Sequence, residues 1–122
     1  KITALSTDQI FVFGSNTEGR HGAGAARAAL SFGAQYGNPR GFQGKTYAII
    51  TKDLRKGNRS VSLSYIESQI REMYNFARKH REKEFIVTPI GCGLGGFSAS
   101  EIGPLFTKNH PPDNISLPIC FK

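Results

Sequence analysis

Three short apolar runs, each leading into a loop of glycine or of charge, constrain this chain more than any other feature. Gln9-Ile-Phe-Val-Phe13 enters Gly14-Ser15-Asn16, Thr46-Tyr-Ala-Ile-Ile-Thr51 enters the basic stretch Lys52 to Ser60, and Glu84-Phe-Ile-Val-Thr-Pro-Ile90 enters Gly91-Cys-Gly-Leu-Gly-Gly-Phe97. β-Branched and aromatic runs of this length, bounded by turn residues, read as strands. The first is apolar without alternation, which predicts a central strand covered on both faces. Ile2 to Thr7 reads as an edge strand. Ile115 to Phe121 reads as a last strand that Pro118 pushes toward an edge.

Between these runs the pattern is helical. Ala25-Ala-Arg-Ala-Ala-Leu-Ser-Phe32 has high helix propensity, with Gly33 as its C-cap. Ser64-Tyr-Ile-Glu67 matches a capping box, and Ile66, Ile70, Met73 and Ala77 recur at helical spacing, so a helix is expected from about Tyr65 to Arg81. Ser98 caps a shorter helix through Phe106, which Gly103-Pro104 interrupts. Gln35 to Gln43 reads as connection. Alternating strands and helices predict an α/β fold, a three-layer α/β/α sandwich with a central mixed sheet, over 1–122 as a single domain.

The 14 glycines are unevenly spread: eight lie between Gly14 and Gly44 and four between Gly91 and Gly96. Glycine is tolerated in clusters where something must approach the backbone closely. Both clusters follow a strand, which puts them on one rim of the sheet, and ligands of such sheets bind at the carboxyl ends of strands. The loop Gly14 to Gly24 also feeds a helix N-terminus, whose unpaired N–H groups favour an anion.

Several familiar patterns fail on inspection. Gly91 to Gly96 satisfies G-x-G-x-x-G after a strand, but only 26 residues follow Gly96, too few for a dinucleotide fold. Gly44-Lys45-Thr46 ends like a P-loop, yet Pro39 stands at its first glycine and a strand follows. Cys92, Cys120, His21, His80 and His110 are scattered singly, so no metal is expected. Cys92 reads as a small residue in a tight turn rather than a nucleophile. His21 offers a general acid or base, or a bond to phosphate or loop backbone.

The chain carries 16 Lys+Arg against 9 Asp+Glu, a net charge of +7. Nine of the basic residues fall between Lys52 and Lys83, interspersed with Asp53, Glu67, Glu72 and Glu82, without a recognition motif or an aromatic platform for bases. Steering of a small anionic ligand, or ordinary solubility, explains the excess as well as nucleic acid does. Two cysteines fit reduced thiols in the cytoplasm, no apolar run is long enough to span a bilayer, and no leader opens the chain. The start at Lys1 rather than Met leaves room for a preceding segment.

Taken in order, these loops resemble the macro-domain family of ADP-ribose-binding α/β modules. Ile10-Phe-Val-Phe-Gly-Ser-Asn16 is similar to that family's first core strand, ending in an asparagine that faces the distal ribose. Gly22-Ala-Gly-Ala-Ala-Arg-Ala-Ala29 resembles its glycine-rich turn into a helix, and Ile90 to Phe97 its diphosphate-gripping loop. Ile50-Thr-Lys-Asp53 followed by Gly-Cys-Gly-Leu resembles the branch that removes ADP-ribose from side chains and the compact ADP-ribose 1''-phosphate phosphatases. Lys52 matches a lysine of the first of these branches, whereas Gly95 stands where that branch has an aspartate. The family's Gly-Asp-Ile contact to adenine is also missing, with Asp8 the only early acid; Phe121 is a candidate to stack on the base.

The resemblance implies a reader or sensor of ADP-ribose or a derived nucleotide, for example in antiviral defence. The alternatives are a hydrolase acting on ADP-ribose 1''-phosphate or on ADP-ribosylated side chains, and a basic nucleic-acid binder. The candidate ligand contacts are Gly14, Ser15, Asn16, Gly22, Ala23, Gly24, Thr51, Lys52, Gly91, Cys92, Gly93, Leu94, Gly95, Gly96, Phe97 and Phe121. Asn16, His21, Lys52 and Asp53 are the candidate catalytic groups. No cofactor is implied, no membrane contact is expected, and the oligomeric state stays open.

Overall fold

The computed structural model describes residues 4–56, 60–93 and 95–122. Its elements are β1 (Gln9–Asn16), α1 (Gly24–Leu30), β2 (Gly41–Gln43), β3 (Thr46–Lys52), α2 (Leu63–Lys79), β4 (Glu84–Val87), α3 (Ala99–Thr107), β5 (Ile115–Ser116) and a 3-10 turn, Ile119–Phe121. The five strands form one sheet in the order β2-β3-β1-β4-β5. β2 is antiparallel to β3 and the other pairs are parallel.

β1 is the central strand, as its unbroken apolarity requires. Successive side chains alternate between faces: Phe11 and Phe13 pack with Ala48 against Ala29 of α1, while Ile10 and Val12 meet Ile66, Ile70 and Met73 of α2. Helices on both faces of a mixed sheet make the three-layer α/β/α sandwich that the pattern predicts. Among the described residues, no helix is long and apolar enough to cross a membrane.

The chain departs from the sequence expectations in several places. Residues 1–3 lie outside the described residues, and Ala4 to Ser6 form no strand. The connection 35–43 ends in β2, a strand too short to show an alternation, which turns back at Gly44-Lys45 to pair Gln43 with Thr46. α1 ends at Leu30 with Ser31 as its cap, because the Ser31 hydroxyl donates to the Ala28 carbonyl at 2.7 Å. Gly33 instead packs on Gly44, where an added Cβ would lie 2.9 Å from the Gly44 Cα.

α2 starts two residues earlier than expected. Ser62 rather than Ser64 is its cap, accepting from the Tyr65 N–H at 3.1 Å, and the Glu67 carboxylate binds Asn109 instead of closing a box. The true capping box is at α3, where Ser98 and Glu101 cap reciprocally. α3 continues through Gly103 and Pro104: the bond that Pro104 cannot donate is the one to Ser100, an exposed residue of the first turn, where its loss costs little. β4 stops at Val87, since Thr88 turns both its N–H and its hydroxyl to the Val12 carbonyl. β5 is only two residues long, and Pro118 starts the final 3-10 turn rather than continuing a strand.

Candidate functional site

β1 leads to α1 on one face of the sheet and β4 leads to α3 on the other, so the loops after these neighbouring strands diverge and leave a crevice. A cleft of about 480 Å³ opens there. Its walls are Gly14 to Asn16, Arg20, Ala23 to Ala26, Thr51, Lys52, Leu54, Thr88 to Gly91, Gly93 and Gly95. The two glycine clusters thus face each other, as their positions after strands predict.

Backbone amides join the polar side chains of the lining. α1 has no side-chain cap at Ala23, and its first internal bond is Arg27 N–H to the Ala23 carbonyl. The N–H groups of Gly24, Ala25 and Ala26 therefore donate to nothing among the described residues, in contrast to α2 and α3 with their serine caps. On the opposite wall Cys92, Gly96 and Phe97 spend their N–H groups on Pro89, Gly93 and Gly91, while those of Gly93 and Gly95 have no acceptor among the described residues.

Two cations add to this. Lys52, at the end of β3, makes no ion pair or side-chain hydrogen bond among the described residues. Arg20 pairs with Glu18 at 3.2 Å and is largely exposed. No described lining residue is an acid. Five backbone amides without an acceptor among the described residues, the unpaired Lys52 and the Glu18-paired Arg20 thus line the cleft together.

Asn16 holds the loop that carries Arg20. Its Oδ1 accepts from the N–H groups of Glu18 (3.3 Å) and Arg20 (2.9 Å), and its Nδ2 donates to the Arg20 carbonyl at 2.8 Å. These bonds use both acceptor positions and one of the two N–H donors of the amide, so the expected ribose contact can draw on a single donor at most. Thr51 donates to the Ser15 carbonyl at 3.3 Å, tying the ends of β1 and β3 together.

Of the four candidate catalytic residues, His21 and Asp53 lie outside the lining. His21 is fully buried: its Nε2 donates to the Asn38 carbonyl at 3.2 Å and its ring packs edge-on against Phe13 at 5.2 Å. It fastens the loop to the 36–38 turn and is sealed off from a ligand. Its Nδ1 has no partner among the described residues. Asp53 is engaged by the backbone of Arg55 (3.0 Å), by its guanidinium (3.3 Å) and by the Thr17 hydroxyl (3.4 Å). The Arg55 side chain and N–H hold its carboxyl below the usual carboxylate range.

Stability linked to a carboxyl whose folded pKa is depressed is present above its unfolded value and lost as pH falls through the folded one. Amide exchange at Arg55 is therefore expected to stay slow from neutral pH into the acid range. It should rise once the pH drops below the ordinary aspartate value; a constant protection there would contradict this role for Asp53.

Several expected contacts are also absent from the lining. Gly22 and Gly96 lie outside it, and Leu94 lies outside the described residues. Cys92 is half-buried against the core, and burial pushes its thiol up, away from a nucleophilic thiolate. Phe97 and Phe121 are core residues. Phe121 stacks on Phe106 with ring centroids 5.3 Å apart, so it cannot hold a base. Arg20, Ala25, Ala26, Leu54 and Thr88 to Ile90 line the cleft beyond the contacts expected from sequence. Only Arg20, a cation inside the first glycine cluster, carried a readable signal.

Gly95 has a steric reason. A Cβ built there would lie 2.9 Å from the Gly91 carbonyl oxygen and 3.0 Å from its Cα. The loop folds back on itself at this point and excludes any side chain, including an aspartate. Comparison with known proteins finds no matching family model, no matching characterised protein and no matching solved structure.

Proposed function

We propose that the cleft binds ADP-ribose or an ADP-ribose-derived nucleotide, and that the protein is a reader of this ligand related to the macro domains. The observation that carries the reading is the pair of facing loops whose open amides, from Gly24 to Ala26 and at Gly93 and Gly95, flank Lys52 and Arg20 with no acid among the described lining residues. A diphosphate offers acceptors to both walls at once. The order of the two loops along the chain is the order of the macro-domain resemblance.

Holding is favoured over turnover because the two groups able to activate water are engaged elsewhere: Asp53 by Arg55, His21 by Asn38. The same reading puts the protein in the cytoplasm, which keeps thiols such as Cys92 and Cys120 reduced.

Calorimetry with ADP-ribose, ADP and ribose 5-phosphate tests the proposal, and no binding of any of them refutes it. Release of phosphate or ADP-ribose from ADP-ribose 1''-phosphate or a modified protein would make it a hydrolase instead. Lys52→Gln should weaken ADP-ribose by about tenfold, the loss of one charge-assisted bond. Arg20→Gln should cost only about threefold, since an exposed and already paired charge contributes little. A reversed order of the two effects would count against the diphosphate lying beside Lys52.

A further inference from the structure

The cleft uses little of the +7 charge. On the opposite rim, where the parallel strands begin, α2 ends in Arg78 and Lys79, and Arg81 and Lys83 follow before β4. Arg78 and Arg81 line a groove of about 580 Å³ with Pro112, Asp113 and Asn114.

Three nearby acids have polar neighbours. Glu82 lies 3.7 Å from His80, Glu84 accepts from Gln9 and Ser116, and Glu72 pairs with Arg40. Asp113 is a single carboxylate against Arg78 and Arg81.

The ordinary role of cations at a helix C-terminus is to satisfy its last carbonyls. Here Asn114 does so, its Nδ2 donating to the carbonyls of Ala77 (3.0 Å) and His80 (3.2 Å). Arg78 gives two N–H groups to Asn75 and His110, leaving three of its five donors. Arg81 has no ion pair or side-chain hydrogen bond among the described residues. Beside this run sits Phe42 on the edge strand β2, 43% exposed, with the Lys83 ammonium 5.8 Å from its ring centre. One side of Phe42 rests on Phe76, at 5.0 Å between centroids. The structure thus supplies the aromatic platform that the sequence pattern did not reveal.

We propose that the strip from Phe42 through Lys83 and Arg81 to Arg78 is a docking surface for single-stranded nucleic acid. The phosphates lie on the three cations and a base stacks on Phe42, displacing the flexible Lys83 side chain from above the ring. Arg78, Arg81 and Lys83 outnumber Asp113, the one acid among the described groove residues, and suit a phosphate backbone. The exposed ring beside them selects an unpaired base over an acidic polypeptide, which has no use for a π-face, and over a duplex, whose bases are already stacked. This inference is independent of what the cleft binds.

Fluorescence anisotropy with a labelled short oligothymidylate tests it. Three phosphate contacts on a single strand predict an affinity that falls about twentyfold between about 50 and about 200 mM salt. Arg81→Gln combined with Lys83→Gln should flatten the log–log salt slope from about two to about 0.7. Phe42→Leu keeps the packing on Phe76 but removes the π-face, and should weaken binding at least about fivefold at every salt concentration. Thermal unfolding of each variant confirms that it is folded. The proposal is overturned by no binding at low salt, by polyglutamate binding as tightly as the oligonucleotide, by a duplex binding more tightly than the single strand, by an unchanged affinity in Phe42→Leu, or by ADP-ribose displacing the strand into solution.

Discussion

Gly95→Ala is expected to abolish most ligand binding while leaving a folded protein. The added methyl has to enter a space where the Gly91 carbonyl oxygen is 2.9 Å and the Gly91 Cα 3.0 Å away. Neither atom is the end of a flexible side chain, so the backbone itself must move. Gly91 is fixed in turn, because its carbonyl accepts from the Phe97 N–H at 2.8 Å and Phe97 is anchored in the core. The strain is relieved by displacing Gly95 and with it Gly93, the two residues whose amides face the cleft on this wall. Losing one hydrogen bond to a charged group, about 1.5–3 kcal/mol, lowers affinity by about tenfold to over a hundredfold, and losing both lowers it further. Overpacking costs about 1–3 kcal/mol of fold stability as well. Gly22→Ala is the control: a Cβ there meets no atom within 4 Å and Gly22 is not in the lining. Calorimetry with ADP-ribose should show Gly22→Ala close to the parent and Gly95→Ala nearly silent; equal affinities would remove the second loop from the site.

The contrast between these glycines marks what a sequence exposes and what it hides. Clustering pointed to two loops facing each other on one rim, because a run of glycines adds nothing to a core and weakens a helix or strand, so close approach to the backbone is what it gains. It did not separate the glycines that line the cleft from those, such as Gly22, that only shape the turn, since that depends on where the chain folds back. The candidate acids and bases were misplaced for a similar reason. His21 and Asp53 stood in the right loops, but the partners that engage them, Asn38 and Arg55, differ in kind: one acts across the fold and the other two residues away. Aromatic rings were ambiguous too: Phe42, in a polar and glycine-rich connection, lies exposed on the edge strand, whereas Phe121, near the chain end, is buried. The central strand was legible because burial on both faces leaves no freedom in the pattern. β2 was not, because three residues cannot show one.

Gln69→Leu is expected to be among the most damaging single substitutions for stability, and it reaches the cleft from behind. Gln69 falls within the apolar stripe of Ile66, Ile70, Met73 and Ala77 on α2, and it is 1% exposed. Its side chain accepts from the Ile50 N–H at 2.7 Å and donates to the Ile50 carbonyl at 2.9 Å. β2 covers β3 only from Thr46 to Ala48, so the outward polar groups of Ile50 have no strand beside them. The amide of Gln69 takes the place of that strand. Leucine fills the volume but leaves a buried N–H and a buried carbonyl unpaired, at about 1–3 kcal/mol each. Against a total stability of about 5–15 kcal/mol this is a large fraction, and it predicts a Tm lower by roughly ten degrees or more. Gln69→Glu separates the hydrogen-bond account from a packing account. Ionised, it can accept from the N–H but not donate to the carbonyl; protonated, it can do both. A buried carboxyl of this kind has a raised folded pKa, so its stability is present at low pH and lost as pH rises through that value. Measured against the parent at each pH, the deficit of Gln69→Glu should therefore shrink on acidification while that of Gln69→Leu stays constant. Because Thr51 and Lys52 follow Ile50 directly into the cleft, both variants should also weaken ADP-ribose, and a Gln69→Leu protein of unchanged Tm would refute the clamp.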